Sequence, residues 1–302
     1  MNVASTARPL VRPGGAQTRV KLSICADYFQ RFTQASQTAR DRIYIDGFAA
    51  SGMGIDHRTR KEYPGSARLS LEVDPPFTEC YFVERDEGRA AHLQELVESY
   101  PHARVRHGDA NVEIPKILAG INPKAPTLAF LDPQGTELHW SSVKALADHK
   151  RNRGRYKVEL LILFPLQMAV LRLLNFKTGV VKPKHALLLD AMLGAETPWR
   201  EIVSMRMTEA IGPEETELAF LDAYCDGLHR RLDYEHVLHR EVVSDTGRSL
   251  YYLVFASDSD VGEKIMRSEF GASHTEQAQL FNTAEFTPGL VYDPGKERNY
   301  RR

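Results

Sequence analysis

The chain has 302 residues and a formal charge of −1, with 26% charged and 42% hydrophobic side chains, enough apolar material for one elaborated globular domain or two small ones. Disorder over most of the length is excluded. No apolar run approaches the roughly 18 residues of a bilayer span, and the first twenty residues lack the basic-then-apolar order of a secretory signal, so a cytoplasmic protein away from membranes is expected.

Cys25, Cys80 and Cys225 lie far apart, so neither a disulfide framework nor a cysteine metal site is implied, and they are read as buried small residues. Near-neutrality argues against coating nucleic acid by bulk charge. It leaves local basic runs. Lys150, Arg151, Arg153, Arg155 and Lys157 put five cations in eight residues, and Arg8, Arg12, Arg19 and Lys21 lie in an acid-free first stretch. Each run reads as solvated surface or as a receiver of phosphates or an acidic partner.

Residues 1–20, with two Pro and two Gly, are expected to be a flexible lead-in. From Leu22 the apolar set Leu22, Cys25, Phe29 and Phe32 keeps helical spacing, predicting a helix to about Arg40. Ile43-Tyr-Ile-Asp46 reads as a buried strand running into the small-residue turn Gly47-Phe-Ala-Ala-Ser-Gly52. Residues 53–64 are charged and expected to be a loop, with Ser66 capping a helix to Val73.

Tyr81–Asp86, Val105–Gly108, Thr127–Leu131 and Val158–Phe164 supply further strands, separated by helices through Leu93–Tyr100 and Ser141–His149. Apolar strands alternating with helices predict a doubly wound α/β fold with a parallel sheet covered on both faces. Residues 167–236 break the alternation as a helical insertion, with Leu218, Leu221, Cys225, Leu228 and Leu232 in one stripe. Val237–Val243 and Arg248–Ser257 then form a C-terminal antiparallel hairpin, followed by a helix over Val261–Glu269. The resulting division is a main domain of 21–166 with 237–271, the insertion, and a C-terminal extension of 272–302.

In such a sheet ligands bind at the carboxyl ends of the strands. Asp46, Glu84, Asp109 and Asp132 all fall there. The turn after Asp46 lets backbone approach a ligand, but it lacks the glycine fingerprint and following helix start that a pyrophosphate requires. Glu84 is placed to accept from the vicinal hydroxyls of a ribose, Asp109 to accept from an exocyclic amine, and Asn111 to donate. His229, His236 and His239 have no carboxylate at metal-site spacing, so no metal is expected. The hydrolase elbow and the phosphate-binding Gly-Lys-Ser/Thr loop are absent from the sequence.

With these residues in view, the chain resembles class I S-adenosylmethionine-dependent methyltransferases, and more narrowly the bacterial three-Cys-motif partner family. The resemblance rests on Lys21-Leu22, Asp46–Gly52, Gly65-Ser66, Phe82–Asp86, Gly108–Asn111, Phe130-Leu-Asp-Pro-Gln-Gly135 with Trp140, Phe164-Pro165 with Arg172, and Tyr251–Ala256 with Gly262–Met266. It implies a Rossmann-like methyltransferase sheet and S-adenosylmethionine as cofactor. Asp46, Gly47, Phe48, Ala50 and Gly52 would hold its methionine part, Glu84 its ribose, and Asp109, Ala110 and Asn111 its adenine. Asp132, Pro133 and Gln134 occupy the place where amino-methylating relatives position the acceptor. Gln134 and Gly135 replace the second proline and the aromatic found there. His139 and Trp140 are candidates to shape the substrate pocket, with Arg151, Arg153 and Arg155 as further substrate contacts. The resemblance also implies a partner protein carrying the three-cysteine motif. The alternative is a cofactor-binding interaction protein that works through its partner without catalysis.

Overall fold

The structure, a computed structural model, describes residues 12–56, 58–150, 156–244 and 246–281; at 12–14, 16 and 272–281 it describes backbone alone. Structure begins earlier than the sequence suggests. Strand β1 (Arg12–Gly14) and helix α1 (Ala16–Ala35) occupy part of the expected lead-in. The apolar stripe of α1 starts at Val20 and continues through Ile24, Tyr28 and Phe32, and burying that face outweighs the local Pro-Gly composition. The helix stops at Ala35, short of Arg40, where the Ser36 hydroxyl donates back to the Phe32 carbonyl at 2.7 Å.

Strand β2 (Ile43–Asp46) is buried along its whole length. The expected loop that follows is a hairpin of β3 (Met53–Asp56) and β4 (Glu62–Pro64), with β1 parallel to β3 in a small three-stranded sheet. Asp56 closes that hairpin by accepting from the backbone N–H groups of Arg58 and Thr59, which is why a charged segment can be regular. Helix α2 (Ser66–Leu71) is capped by Gly65; the Ser66 hydroxyl points elsewhere.

Alternation then follows as β5 (Glu79–Glu84), α3 (Glu87–Val97), β6 (Ala103–His107), α4 (Ala110–Gly120), β7 (Thr127–Leu131), α5 (Trp140–His149) and β8 (Glu159–Phe164). A π turn (Leu166–Val170) and a 3-10 turn (Leu171–Leu173) lead into α6 (Pro183–Leu193), α7 (Trp199–Met207), α8 (Pro213–Asp226) and a second π turn (Gly227–Arg231). The chain closes with β9 (His236–Val243), β10 (Ser249–Ser257) and α9 (Asp260–Phe281), a helix that runs well past Glu269.

The main sheet has the order β6-β5-β2-β7-β8-β10-β9. Its first five strands are parallel, and β10 lies antiparallel between β8 and β9. The expected parallel sheet with a C-terminal antiparallel hairpin is therefore observed. The order reverses between β2 and β7, the switch point at which an open α/β sheet leaves a crevice.

Side chains alternate between two cores. Tyr44, Phe82, Phe130, Leu161 and Phe255 pack beneath α1, α2, α3 and α9, and Ile45, Val83, Leu131, Ile162 and Val254 pack beneath α4, α5 and the insertion. Leu221, Cys225, Leu228 and Leu232 of the expected stripe are buried there. All three cysteines are free and buried, and burial raises their thiol pKa values, so they are inert core residues. No helix of the described residues is long and apolar enough to cross a membrane.

A buried polar knot joins α9 to the sheet. The Tyr28 hydroxyl donates to Glu159, whose carboxyl is pushed up to about 7 by burial. Gly262 covers the pair: a Cβ there would lie 2.9 Å from Glu159 Oε1 and 3.1 Å from the Tyr28 hydroxyl. Gly262→Ala should therefore destabilise the protein by about 1–3 kcal/mol through overpacking, read as a lowered Tm in thermal unfolding. An unchanged Tm would mean that α9 moves aside freely.

Candidate functional site

At the end of β2, Asp46 is completely buried. Its Oδ1 accepts from the Phe48 N–H at 3.0 Å, and its Oδ2 accepts from the Ser66 hydroxyl at 2.6 Å and the Tyr44 hydroxyl at 3.4 Å. Burial raises its pKa to about 7 against the pull of these donors. The carboxyl thus fastens the turn to α2.

The turn is stitched to both neighbouring strands. Gly47 N–H donates to the Phe130 carbonyl and Ala49 N–H to the Val83 carbonyl, each at 3.0 Å. Gly65 N–H reaches the Gly52 carbonyl at 2.8 Å, an approach a side chain at Gly65 would block. Ala50 holds a left-handed φ of 53°, a conformation glycine adopts at lower cost. Gly47 and Phe48 line the cleft, whereas Gly52 packs against Leu93 and Leu96.

The cleft, about 570 Å³ with its open mouth, is lined by Gly47, Phe48, Glu84, Asp109, Ala110, Asp132 and Gln134 from the predicted set. Arg85, Arg89 and Glu137 also line it. Glu84 is buried and spends one oxygen on structure: Oε1 accepts from Arg89 Nη2 and from the Asp86 N–H, both at 2.7 Å. Asp109 caps α4, its Oδ1 accepting from the Asn111 N–H at 2.8 Å and from Asn111 Nδ2 at 2.9 Å. Asp132 pairs through Oδ2 with the Lys21 ammonium. Glu84 Oε2, Asp109 Oδ2 and Asp132 Oδ1 carry no hydrogen bond among the described residues.

Three of the predicted residues have other tasks. Asn111 was expected to donate to a ligand, but both its amide hydrogens are spent, on Asp109 and on the Glu137 carbonyl at 2.7 Å. Its Oδ1 accepts from the His139 N–H at 2.9 Å and the Ser142 hydroxyl at 2.8 Å, so it clamps α4 to the start of α5. His139 enters this clamp through its backbone as the residue preceding α5. Trp140 lies in the core beneath the insertion, edge-on to Tyr224 at 5.5 Å between centroids and under the Arg231 guanidinium at 4.3 Å. Gly194 and Gly227 leave room for its indole; a Cβ at either would come within 2.9 Å. Pro133 is buried and Gln134 exposed.

Arg151, Arg153 and Arg155 lie outside the described residues. Their flanks mark the amino end of β8, the opposite edge from the cleft and about 20 Å away across six residues of strand. There Lys150 is buried, its pKa pushed down to about 8, and Lys157 is paired with Asp258 at 2.9 Å. At the same edge His236 meets Glu235 and Asp260, with ligand atoms within 4.8 Å of one another. Glu235 is its neighbour in sequence, and Asp260 comes from α9.

Sequence reasoning missed two contributors to the site. Lys21 reaches Asp132 across 111 positions, and Arg89 braces Glu84 from the first turns of α3. Their sequence signals were a cation in an acid-free opening stretch, within the Lys21-Leu22 pair of the resemblance, and an Arg five residues after the acid.

No family model matches this chain, and no curated protein matches it. Among solved structures, LPL1258 from Legionella pneumophila, assigned to DUF519, aligns with a TM-score of 0.51 at 10% identity, covering 88% of this chain and 94% of that one. The fold is shared. Weaker similarities, confined to the fold, run to Trm1 from Pyrococcus horikoshii in complex with S-adenosylmethionine (TM-score 0.38, 11% identity, 82% of this chain and 58% of that one) and to TYW2 from M. jannaschii in complex with AdoMet (0.32, 11%, 76% and 75%). The sheet is the mostly parallel, Rossmann-like sheet expected from the sequence, with its antiparallel hairpin in place.

The buried Asp46 gives a pH test with a definite sign. Its pKa rises from 3.8 to about 7 on folding, so the native state holds a proton that the unfolded chain releases. Its contribution to stability is full below about pH 4 and is lost as pH climbs through 7. Thermal unfolding of Asp46→Asn should show a smaller loss of Tm between pH 4 and 7 than the parent; parallel curves would remove Asp46 as the source.

Proposed function

We propose that this protein binds S-adenosylmethionine in the cleft at the β2–β7 switch point and transfers its methyl group to a nitrogen acceptor held at Asp132. One observation carries the reading: Glu84, Asp109 and Asp132 each spend one oxygen on bracing contacts and leave the other unbonded, on one cleft. An acid-rich wall suits a cofactor that is cationic and carries a vicinal diol. When bound, that cofactor supplies an electrophilic methyl on a sulfonium.

The chain's own residues then bind and align. Glu84 Oε2 accepts from the ribose hydroxyls, with Arg89 fixing the carboxylate. Asp109 Oδ2 accepts from the exocyclic amine of the adenine. The backbone of Gly47 and Phe48 lies along the methionine part. Asp132 Oδ1 accepts a hydrogen bond from the acceptor N–H and orients its lone pair. Lys21 holds Oδ2, so Asp132 presents a single direction to the acceptor. The resemblance supports a three-cysteine-motif partner protein as the agent that brings the acceptor. A second reading, cofactor binding without catalysis, is favoured by the same Lys21 contact, since Asp132 already has a cation on it.

Isothermal calorimetry tests the first step. S-adenosylmethionine should bind the parent, and Glu84→Gln should weaken it by about tenfold, the loss of one charge-assisted bond. Absence of binding by the folded parent would overturn both readings. Labelled methyl transfer to fractionated cell extract separates them. Asp132→Ala should retain cofactor affinity and lose transfer by about 10²–10⁴-fold; binding without transfer by the parent would leave the non-catalytic reading.

A further inference from the structure

Residues 160–189 contain no Asp or Glu but include Arg172, Lys177, Lys182 and Lys184. All four are exposed, and none is joined to a carboxylate among the described residues. Several helix cations elsewhere on the surface are neutralised locally, as in Arg68 with Glu72 at 2.7 Å, Lys116 with Glu113 at 2.6 Å and Arg230 with Asp226 at 2.7 Å. Four like charges without such partners repel one another unless an anion covers them.

Their location gives the charge a use. Strands β7 and β8 run parallel with Leu131 beside Ile162, so the chain leaving β8 at Phe164 emerges on the rim where Asp132 stands. The segment that follows is folded back on itself. His185 Nδ1 lies 2.9 Å from the Leu173 carbonyl, which joins the backbone next to Arg172 to the residue next to Lys184. Gly179 rests against Met207, and the Arg206 guanidinium lies 6.0 Å from the Phe176 ring centroid, which adds a fifth cation from α7. Val180 and Leu187, 67% and 70% exposed, supply apolar contact on the same segment.

We infer that residues 172–187 together with Arg206 form a docking surface for single-stranded RNA, whose phosphates the cations receive while an unpaired base enters the cleft. The inference rests on the methyl-transfer reading of that cleft. A base in a duplex must first be unstacked, whereas RNA loops present unstacked bases without that cost. Five cations on a chain of net charge −1 are too few to hold and open a duplex, but match a short single strand. The exocyclic amine of such a base is a nitrogen acceptor of the kind Asp132 is proposed to orient.

The test is fluorescence anisotropy of the full-length protein with a labelled single-stranded RNA oligonucleotide across a salt series, without cofactor. Binding should weaken with salt at a log–log slope of about −0.7 per phosphate contact. The variant carrying Arg172→Gln, Lys177→Gln, Lys182→Gln and Lys184→Gln should bind at least about tenfold more weakly and show a slope flattened by about 0.7 for each cation removed. Its Tm should stay that of the parent, since all four side chains are exposed. Should the fourfold variant fail to fold, Lys177→Glu and Lys184→Glu carry the same expectation singly, each with a several-fold loss. Arg151→Gln with Arg153→Gln and Arg155→Gln should leave the affinity within about twofold. Unchanged RNA affinity in the fourfold variant, loss in the 151–155 variant instead, or tighter binding to duplex DNA or polyglutamate would overturn the inference. Calorimetry separates it from the reading beneath it: unchanged RNA affinity in a variant that still binds S-adenosylmethionine overturns the docking surface alone, and RNA binding by a parent that binds no cofactor overturns the reading of the cleft.

Discussion

The structure is organised around a carboxyl group shut away from water. Asp46 ends the central strand of the switch point, and three donors from Tyr44, Phe48 and Ser66 hold it in place. A buried carboxyl is tolerated when each oxygen is hydrogen-bonded and costly when it is not. The turn from Gly47 to Gly52 must therefore keep the course that satisfies it, and that course sets how far the backbone opens beside β7. Cleft width, the position of α2 and the left-handed Ala50 all follow from this anchorage.

Around the cleft the same economy recurs. Arg89 braces Glu84, Asn111 braces Asp109, and Lys21 braces Asp132. In each case a second residue immobilises one oxygen and leaves a pre-aimed acceptor facing the cavity. Such groups lose little freedom when a ligand arrives, which is how positioned carboxylates contribute to both affinity and rate.

Much of this was legible beforehand, for a physical reason. Strands buried on both faces are written as unbroken apolar runs, so β2, β7 and β8 announce themselves, and the residue after each run is a strand end. Asp46, Glu84 and Asp132 could be located that way, whereas Asp109 follows the short and largely exposed β6. What could not be located depends on direction or on distance along the chain. Asn111 and Trp140 sit at the right places but point into the scaffold, and periodicity does not say which face of a helix start meets the cavity. Lys21 acts across 111 positions, and the lead-in composition hid the opening turns of the helix carrying it, which was expected only from Leu22. The basic run at 150–157 was singled out by charge alone; of its described members Lys150 is buried and Lys157 is paired with Asp258 at 2.9 Å.

The packing of the first helix bears on how the molecule is made. Helix α1 leaves the ribosome ahead of the main sheet it rests on, and it is tied to that sheet in two stages. Its apolar face meets early partners first: Phe29 packs on Tyr44 and Phe32 on Phe77, with α2 alongside. The Arg31 pair with Glu269 at 3.1 Å and the Tyr251 hydroxyl bonded to the Gln17 carbonyl at 3.2 Å can form only after β10 and α9 have emerged. The helix that carries Lys21 is therefore seated before Asp132 is made and locked only afterwards, so nascent-chain folding sets the order in which the cleft is closed.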